Sequence, residues 1–550
     1  MTVDEKIGRV RHRLVAATLV AQILGMVAVS AAAAEDGSIL PRSYAGPFYG
    51  STTGLEAPTA SKPQSKLWFN DGSWWALMVQ DEDSTLRIAE LSRRHEWKYT
   101  DTVVSGTAAS GGDVLFLDGQ LHVLTTDDAG LLVQRFTYEA GSRAFEPQPG
   151  FPVVVDSRRP ASASQVVDGA GRTWVSYLRF GRVTVAHSDV SGTEWAEPFS
   201  PATPATDVGP GETADIVHFD GGVGVLWSDQ QRDSFHFAVH PDDAPDDSWS
   251  YETALQGPDI ADNHINAKVW DGPGGSNIIA AVKTSLGDSS DDPEQTLTLV
   301  LRRSPQGQWS SHVTGTVRDN LTRPVVAVDP VNRTVYTVAS RFGAIVLKEA
   351  KLPRLDFPTG PGTVVISSPS RELTDVTSTD QPLTPVSGLV IMVSDRAQER
   401  YWHAEMPITA PLDVPVPGLD PDDEPPSEPG HVRAREVDGS VTVTWSRSDD
   451  GDGWSPAADE RPVNGYAVYR DGRRLGLTRS TYFADAPGRA GRVTYSVKAV
   501  DLAGNLSSAA HASVRLGPGT ADRQIAWTTV GLVAGVMGTL AFAGWLFARR

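Results

Sequence analysis

The 550-residue chain has no cysteine. Disulfides, thiolate metal sites and cysteine nucleophiles are therefore excluded, and whatever folds here must be held by apolar cores. Positive charge is scarce: 48 basic residues stand against 68 acidic ones, a net charge of −20. Residues 1–34 and 522–550 each contribute +2, which leaves −24 on the chain between them. Such a balance argues against nucleic acid and against docking on an anionic membrane face. No G-x-S-x-G elbow or glycine-rich phosphate loop occurs, so nucleotide chemistry and elbow-type serine hydrolysis lack their sequence support.

Long apolar runs matter at the two ends. Arg9, Arg11 and Arg13 precede an apolar stretch from Leu14 to Ala34, and Ala32-Ala33-Ala34 offers a small-residue cleavage site. This reads as a secretion signal over 1–34. Ile525 to Ala548 carries no charge, is 24 residues long, and has Trp527 and Trp545 near its ends and Arg549-Arg550 behind it. That is long enough to span a bilayer with the basic pair on the cytoplasmic side. Leu516-Gly517-Pro518-Gly519-Thr520 departs from the order a sortase needs, so the span is expected to be retained. The expected location is the cell membrane, single-pass, with the ectodomain outside.

Between the ends, a phrase recurs. An apolar run, Asp-Gly, and a second apolar run appear at Asp71-Gly72, Asp118-Gly119, Asp168-Gly169, Asp220-Gly221 and Asp271-Gly272, with a variant at Asp329-Pro330. The intervals are 47, 50, 52, 51 and 58 residues. Asp-Gly suits a type I′ hairpin, in which both central residues need positive φ. A second marker keeps a similar period: an aromatic at Trp97, Phe145, Trp195, Trp249, Trp309 and Phe357 opens each expected fourth strand. A hairpin unit repeating every 40–60 residues predicts a β-propeller. Six units are complete; a seventh, over Asp375–Thr379, Leu389–Ser394 and Arg400–Met406, has three strands. A fourth drawn from residues before Lys66 would close the ring.

The sequence thus predicts an all-β chain: a six- or seven-bladed propeller, seven preferred, over 66–406, preceded by an N-terminal extension over 35–65. A proline-rich acidic linker at 407–429 follows, extended by its prolines and self-repelling charges. Residues 430–516 change character. Trp445, the Gly465-Tyr466-x-Val468-Tyr469 run, Tyr495 to Asp501 and Ala503-Gly504-Asn505 resemble a fibronectin type III domain, with Tyr495 at the place of the tyrosine corner. A juxtamembrane linker at 517–524, the helix at 525–548 and a tail at 549–550 complete the reading.

Asp262-Asn263-His264-Ile265-Asn266, Thr322-Arg323-Pro324 and Asp233 to Val239 resemble a group of secreted bacterial, actinobacterial-type, sialidase-like propellers of unassigned activity. Ser188 to Trp195 keeps Ser, Gly and Trp of the Asp-box turn but has Val190 where the central Asp belongs. Sialidase chemistry also requires an arginine cluster and a Tyr–Glu pair; Arg323 is well placed, but three arginines at equivalent blade positions are not apparent.

The candidate site follows from ring geometry. Five residues before each Asp-Gly aspartate stand Lys66, Asp113, Ala163, Asp215 and Asn266, with His264 and Arg323 near the same level. They are expected to meet at one mouth of the axial channel. Asp113, Asp215, His264, Asn266 and Arg323 are the expected ligand-binding residues. Asp113 and Asp215 are also the weak catalytic candidates, since paired carboxylates flank the bond in glycoside hydrolysis. A ligand with hydroxyls or a carboxylate suits such a mouth better than an apolar one. The acidic loops match no fixed calcium spacing, and no metal or cofactor is expected. The functional expectation is a membrane-anchored extracellular protein that binds a glycan or a protein; the alternatives are a cell-surface glycosidase and a structural envelope protein.

Overall fold

A computed structural model describes residues 41–50, 55–59, 62–108, 112–272, 274–409, 425–437, 440–448, 463–487, 491–501 and 504–516. The expected signal at 1–34 and the expected span at 525–548 lie outside these residues. Among the described residues no helix is long and apolar enough to cross a membrane.

Among the described residues strands dominate, with a helical turn at Leu286–Ser289 and a short 3-10 turn at Val317–Asp319. Seven antiparallel sheets precede residue 407. The first sheet runs Leu67–Asn70, Ser73–Gln80, Thr85–Leu91, Trp97–Ser105. The second runs Gly112–Leu117, Gln120–Asp127, Gly130–Glu139, whose outer edge is shared by Ala144–Pro147 and Val153–Asp156. The third has three strands, Ala163–Val167, Thr173–Arg179 and Arg182–His187, with a bridge from Val185 to Phe199 at its edge.

The fourth comprises Ala214–Phe219, Gly222–Asp229, Ser234–Pro241 and Ser250–Gln256. The fifth comprises Ile265–Gly272, Gly275–Lys283, Thr296–Arg303 and Trp309–Thr316. The sixth comprises Thr322–Asp329, Thr334–Arg341, Ala344–Lys351 and Thr363–Ser367. The seventh takes Leu373–Thr377, Leu389–Asp395 and Arg400–Met406 from the end of the repeats and Arg42–Phe48 from their beginning. The fourth strand of this sheet comes from residues before Lys66: Arg42 lies opposite Glu405 and Tyr44 opposite His403.

Apolar packing passes from each sheet to the next. One cluster joins the sixth and seventh sheets to the first and second through residues such as Ile366, Val393, Trp74 and Phe136. Others join the second to the third (Leu131, Tyr177), the third to the fourth (Trp174, Trp227), the fourth to the fifth (Phe237, Ile278) and the fifth to the sixth (Ile279, Val328). Strands of this kind carry few polar residues because both of their faces are covered.

The Asp-Gly turns divide into two groups. Asp71-Gly72, Asp118-Gly119 and Asp220-Gly221 have φ of 49° and 69°, 50° and 75°, and 45° and 74°, as a type I′ hairpin demands. Asp168-Gly169 does not form one. The Asp168 carboxylate instead accepts the backbone N–H groups of Ala170 and Arg172 and the indole of Trp174, which stabilises a longer loop. Asp271 and Gly272 belong to the strand itself, and positive φ falls on Gly274 and Gly275.

Residues 430–516 form two further sheets. One holds Gly430–Val437, Ser440–Ser446 and Tyr482–Asp485. The other holds Arg473–Thr478, Gly465–Arg470, Gly491–Val500 and Ala510–Leu516. Trp445, Tyr466, Val468, Tyr495 and Val497 fill the space between them. The Tyr495 hydroxyl donates to Asp485 Oδ2 at 2.6 Å.

Candidate functional site

The first strand of each sheet begins at one level, and its polar side chains there link it to neighbouring strands. Asp113 accepts the Ser65 N–H on Oδ1 at 2.8 Å and the Gln165 N–H on Oδ2 at 3.0 Å. Ser164 Oγ accepts the Ile216 N–H at 3.2 Å. Asp215 Oδ2 accepts the Ala267 N–H at 2.7 Å, and Asn266 Oδ1 accepts the Val326 N–H at 3.0 Å. Backbone bonds complete the circuit: Leu383 N–H to Val328 O, and Leu67 N–H to Ser378 O. Three expected site residues, Asp113, Asp215 and Asn266, are therefore at the same level but buried and bonded across sheet junctions.

The chain itself fills the space between them. Residues Lys62–Lys66 pass from sheet to sheet before entering the first strand. Lys62 Nζ donates to Asn263 Oδ1, and the Pro63 carbonyl accepts from Asn266 Nδ2 at 3.2 Å. Gln64 Nε2 donates to the Ala163 carbonyl at 2.8 Å while its Oε1 accepts the Gly112 N–H at 2.9 Å. Lys66 Nζ donates to the Gly112 carbonyl at 2.8 Å. Five consecutive residues thus reach the second, third and fifth sheets.

Charge at this level is balanced internally. Lys268 donates to Ser65 Oγ at 2.9 Å and pairs with Asp380. Burial pushes the Asp215 carboxyl up to about 7, against the pull of Lys268. Burial, reinforced by Asp380, raises Asp113 well above the carboxylate range. Burial lowers Lys66 to about 8, with Asp113 opposing. The protonation state of each group is set mainly by its removal from water.

His264 and Arg323 occupy a separate place. With Thr59, Lys62 and Asp375 they line a depression of about 10 Å³, room for about one water molecule. Arg323 Nε pairs with Asp375 at 2.7 Å. His264 Nδ1 bonds Asp262, which also accepts from Lys283 at 2.6 Å. Burial alone would raise the Asp262 carboxyl, but His264 and Lys283 override it and hold it at about 2. Burial lowers His264, with Asp262 opposing. His264 Nε2 is buried without a hydrogen-bond partner. A saccharide unit does not fit this depression as it stands.

Gln64, Ser65, Lys268 and Asp380 were not identified by the sequence reasoning. For Lys268 a signal existed: a lysine two residues after Asn266 in an otherwise apolar inner strand faces the same way as Asn266. Also missed was a larger open recess of about 460 Å³ at the Asp71-Gly72 turn, lined by Asp71, Ser73, Glu90, Arg93 and Arg143. Its groups satisfy one another, since Arg143 bonds Asp71 at 2.8 Å and Glu90 at 2.6 Å. In the Asp-box-like turn the missing central carboxylate is replaced by its neighbour: Asp189 Oδ1 accepts from Ser191, Gly192 and Glu194. Among the described residues no group of three or more His, Asp or Glu converges on a metal position.

No family model matches the chain. An α-amylase from Niallia circulans is 35% identical over 111 residues, which is 20% of this chain and 8% of that relative. AofleA from Arthrobotrys oligospora is similar with a TM-score of 0.39 and 12% identity, covering 60% of this chain and 89% of that one. An endo-1,4-β-xylanase from Bacteroides thetaiotaomicron gives a TM-score of 0.30 and 14% identity, covering 48% and 97%. Likenesses this distant carry no argument about activity.

Proposed function

We propose that this chain is a non-catalytic extracellular binding protein. In this reading the seven sheets form a closed seven-bladed propeller. The linker over 407–429 and a fibronectin type III module over 430–516 hold it away from the membrane, and the segment at 525–548 anchors it. The ligand is a glycan or a protein met on the outer surface of the ring.

One observation carries the non-catalytic part. The Lys62–Lys66 segment occupies the space that Asp113 and Asp215 would need to face a substrate, and each carboxylate already accepts backbone N–H groups. Hydrolysis of a glycosidic bond needs two carboxyl groups with the substrate between them, about 5–10 Å apart. Here His264 and Arg323, with Lys62, form the polar mouth, while Asp113, Asp215 and Asn266 bind the ring together.

The test is a paired assay on the purified full chain: a glycan array for binding and a panel of chromogenic glycosides and polysaccharides for turnover. Binding without turnover is the expected result. Turnover abolished by Asp113→Asn or Asp215→Asn would overturn the reading and favour the glycosidase.

A further inference from the structure

The same tripeptide stands at the same position in two sheets. Arg179-Phe180-Gly181 joins the second and third strands of the third sheet, and Arg341-Phe342-Gly343 joins those of the sixth. Arg179 pairs with Arg182 and Arg341 with Ala344, so each loop is the two residues Phe-Gly. Phe180 has φ 54° and Gly181 72°; Phe342 has φ 47° and Gly343 73°. The first position of such a turn favours Asn, Asp or Gly, and a bulky residue in the left-handed region is a steric outlier.

Neither ring repays that cost by burial. Phe180 is 76% exposed and Phe342 66%, the two most exposed large apolar side chains among the described residues. Both are backed by arginine. Arg158 lies 4.2 Å from the Phe180 ring centre and Arg179 5.9 Å; Arg341 lies 4.9 Å from that of Phe342. Both tips are held firmly. The Gly181 carbonyl accepts from Val208 at 2.8 Å and from Gly209 at 2.9 Å, and a Cβ on Gly343 would stand 1.5 Å from the Arg371 carbonyl oxygen.

The tips also share a face. Bonds between neighbouring first strands join equivalent positions, so these strands run in one direction. Every hairpin between second and third strands then lies where the first strands begin, the side that carries His264 and Arg323.

Charge selects the ligand. Arg158 is exposed and no carboxylate pairs with it among the described residues, whereas Arg179 is paired with the buried Asp156 at 3.1 Å. Arg182 approaches Asp207 only to 3.9 Å, with both side chains open to water. One guanidinium without a carboxylate partner thus lies over an exposed ring in a chain of net charge −20. We infer that Phe180 with Arg158, and Phe342 with Arg341, are stacking sites for acidic saccharide units, the ring taking the C–H face of a uronic acid and the guanidinium taking its carboxylate. A folded protein partner is disfavoured. A single ring and its arginines fall far short of the roughly 800 Å² that each side of a stable protein interface buries.

This inference rests on the binding reading above, and the experiment separates the two. The full chain in detergent is titrated calorimetrically with a galacturonic acid tetramer and with its methyl ester, which keeps the rings and removes the charge. Wild type is expected to bind the acid at least tenfold more tightly than the ester. Phe180→Asn with Phe342→Asn should cut acid binding at least tenfold while the melting temperature holds or rises, because Asn suits the turn. Phe180→Trp should retain binding, and Arg158→Ala should lose the preference for acid over ester. Equal binding of acid and ester, unchanged binding in the double Asn variant, or no binding of the tetramer by wild type would overturn the inference. Cleavage of the tetramer would overturn the non-catalytic reading instead.

Discussion

Asp215 and Ala267 are joined by one hydrogen bond: Asp215 Oδ2 accepts the Ala267 N–H at 2.7 Å and so ties the fourth sheet to the fifth. Asn266 repeats the contact one sheet further on, to Val326. Replacing either side chain by alanine strands a buried backbone donor, which costs about 1–3 kcal/mol. Asp215→Ala and Asn266→Ala should therefore lower urea stability by that amount each. Unchanged unfolding midpoints would remove these side chains from the structural framework.

The same aspartate makes stability depend on pH. Its carboxyl sits at about 7 in the folded chain, against an ordinary value near 4. Between those values the unfolded chain has released the proton and the folded chain still holds it, so this group's contribution falls as pH rises from about 4 to about 7 and is constant above. Asp215→Asn removes the ionisation and keeps an acceptor. Compared with wild type it should gain stability across that window, on the order of 4 kcal/mol by pH 8. Thermal melts from pH 4 to pH 8 read the difference, and a constant offset would contradict the assignment.

Tyr49 follows the N-terminal strand and is fully buried. Its hydroxyl donates to the Asp395 carbonyl at 3.1 Å and its ring meets Tyr401 edge-on at 5.0 Å. Tyr49→Ala should cost about 3–5 kcal/mol, as for other buried aromatics. Tyr49→Phe should cost about 1 kcal/mol. Equal effects of the two would mean that the hydroxyl, not the ring, holds this segment.

In the second unit, Tyr495→Phe removes the bond to Asp485, which keeps its pair with Arg470 at 2.8 Å. A loss of about 1 kcal/mol is expected. It should appear only in the transition assigned to residues 430–516, because units with separate cores unfold separately. A shift of the other transition would show that the two are coupled.

The order of strands was legible because hairpin chemistry is local. Asp71-Gly72, Asp118-Gly119 and Asp220-Gly221 announce their turns within two residues, and the short last unit pointed to a donor strand at the other end. Asp168 was misleading for a physical reason: its carboxylate found three partners inside a longer loop, and the dipeptide alone does not reveal that. At the site, the sequence placed Asp113, Asp215 and Asn266 at one level but left open whether they face solvent. That depends on Gln64 and Ser65, whose path across the axis is a tertiary fact with no local pattern. The Phe-Gly tips were overlooked because a bulky residue at a left-handed turn position runs against the propensities used to find turns.

Closure by the first strand also fixes an order of events. Gly46 and Arg400, joined by the Arg400 guanidinium, are 354 positions apart, so the segment made first meets its partner last. Contacts that distant form slowly, because the intervening chain must be gathered before they repay its loss of freedom. Until Arg400–Met406 has emerged, Arg42–Phe48 has nowhere to pair, and the nascent sheets present unpaired edges to other chains. Closure of the seventh sheet is therefore gated by the arrival of residues 400–406 rather than by the individual hairpins, and a chain interrupted before residue 400 keeps an open edge that invites pairing with its own copies.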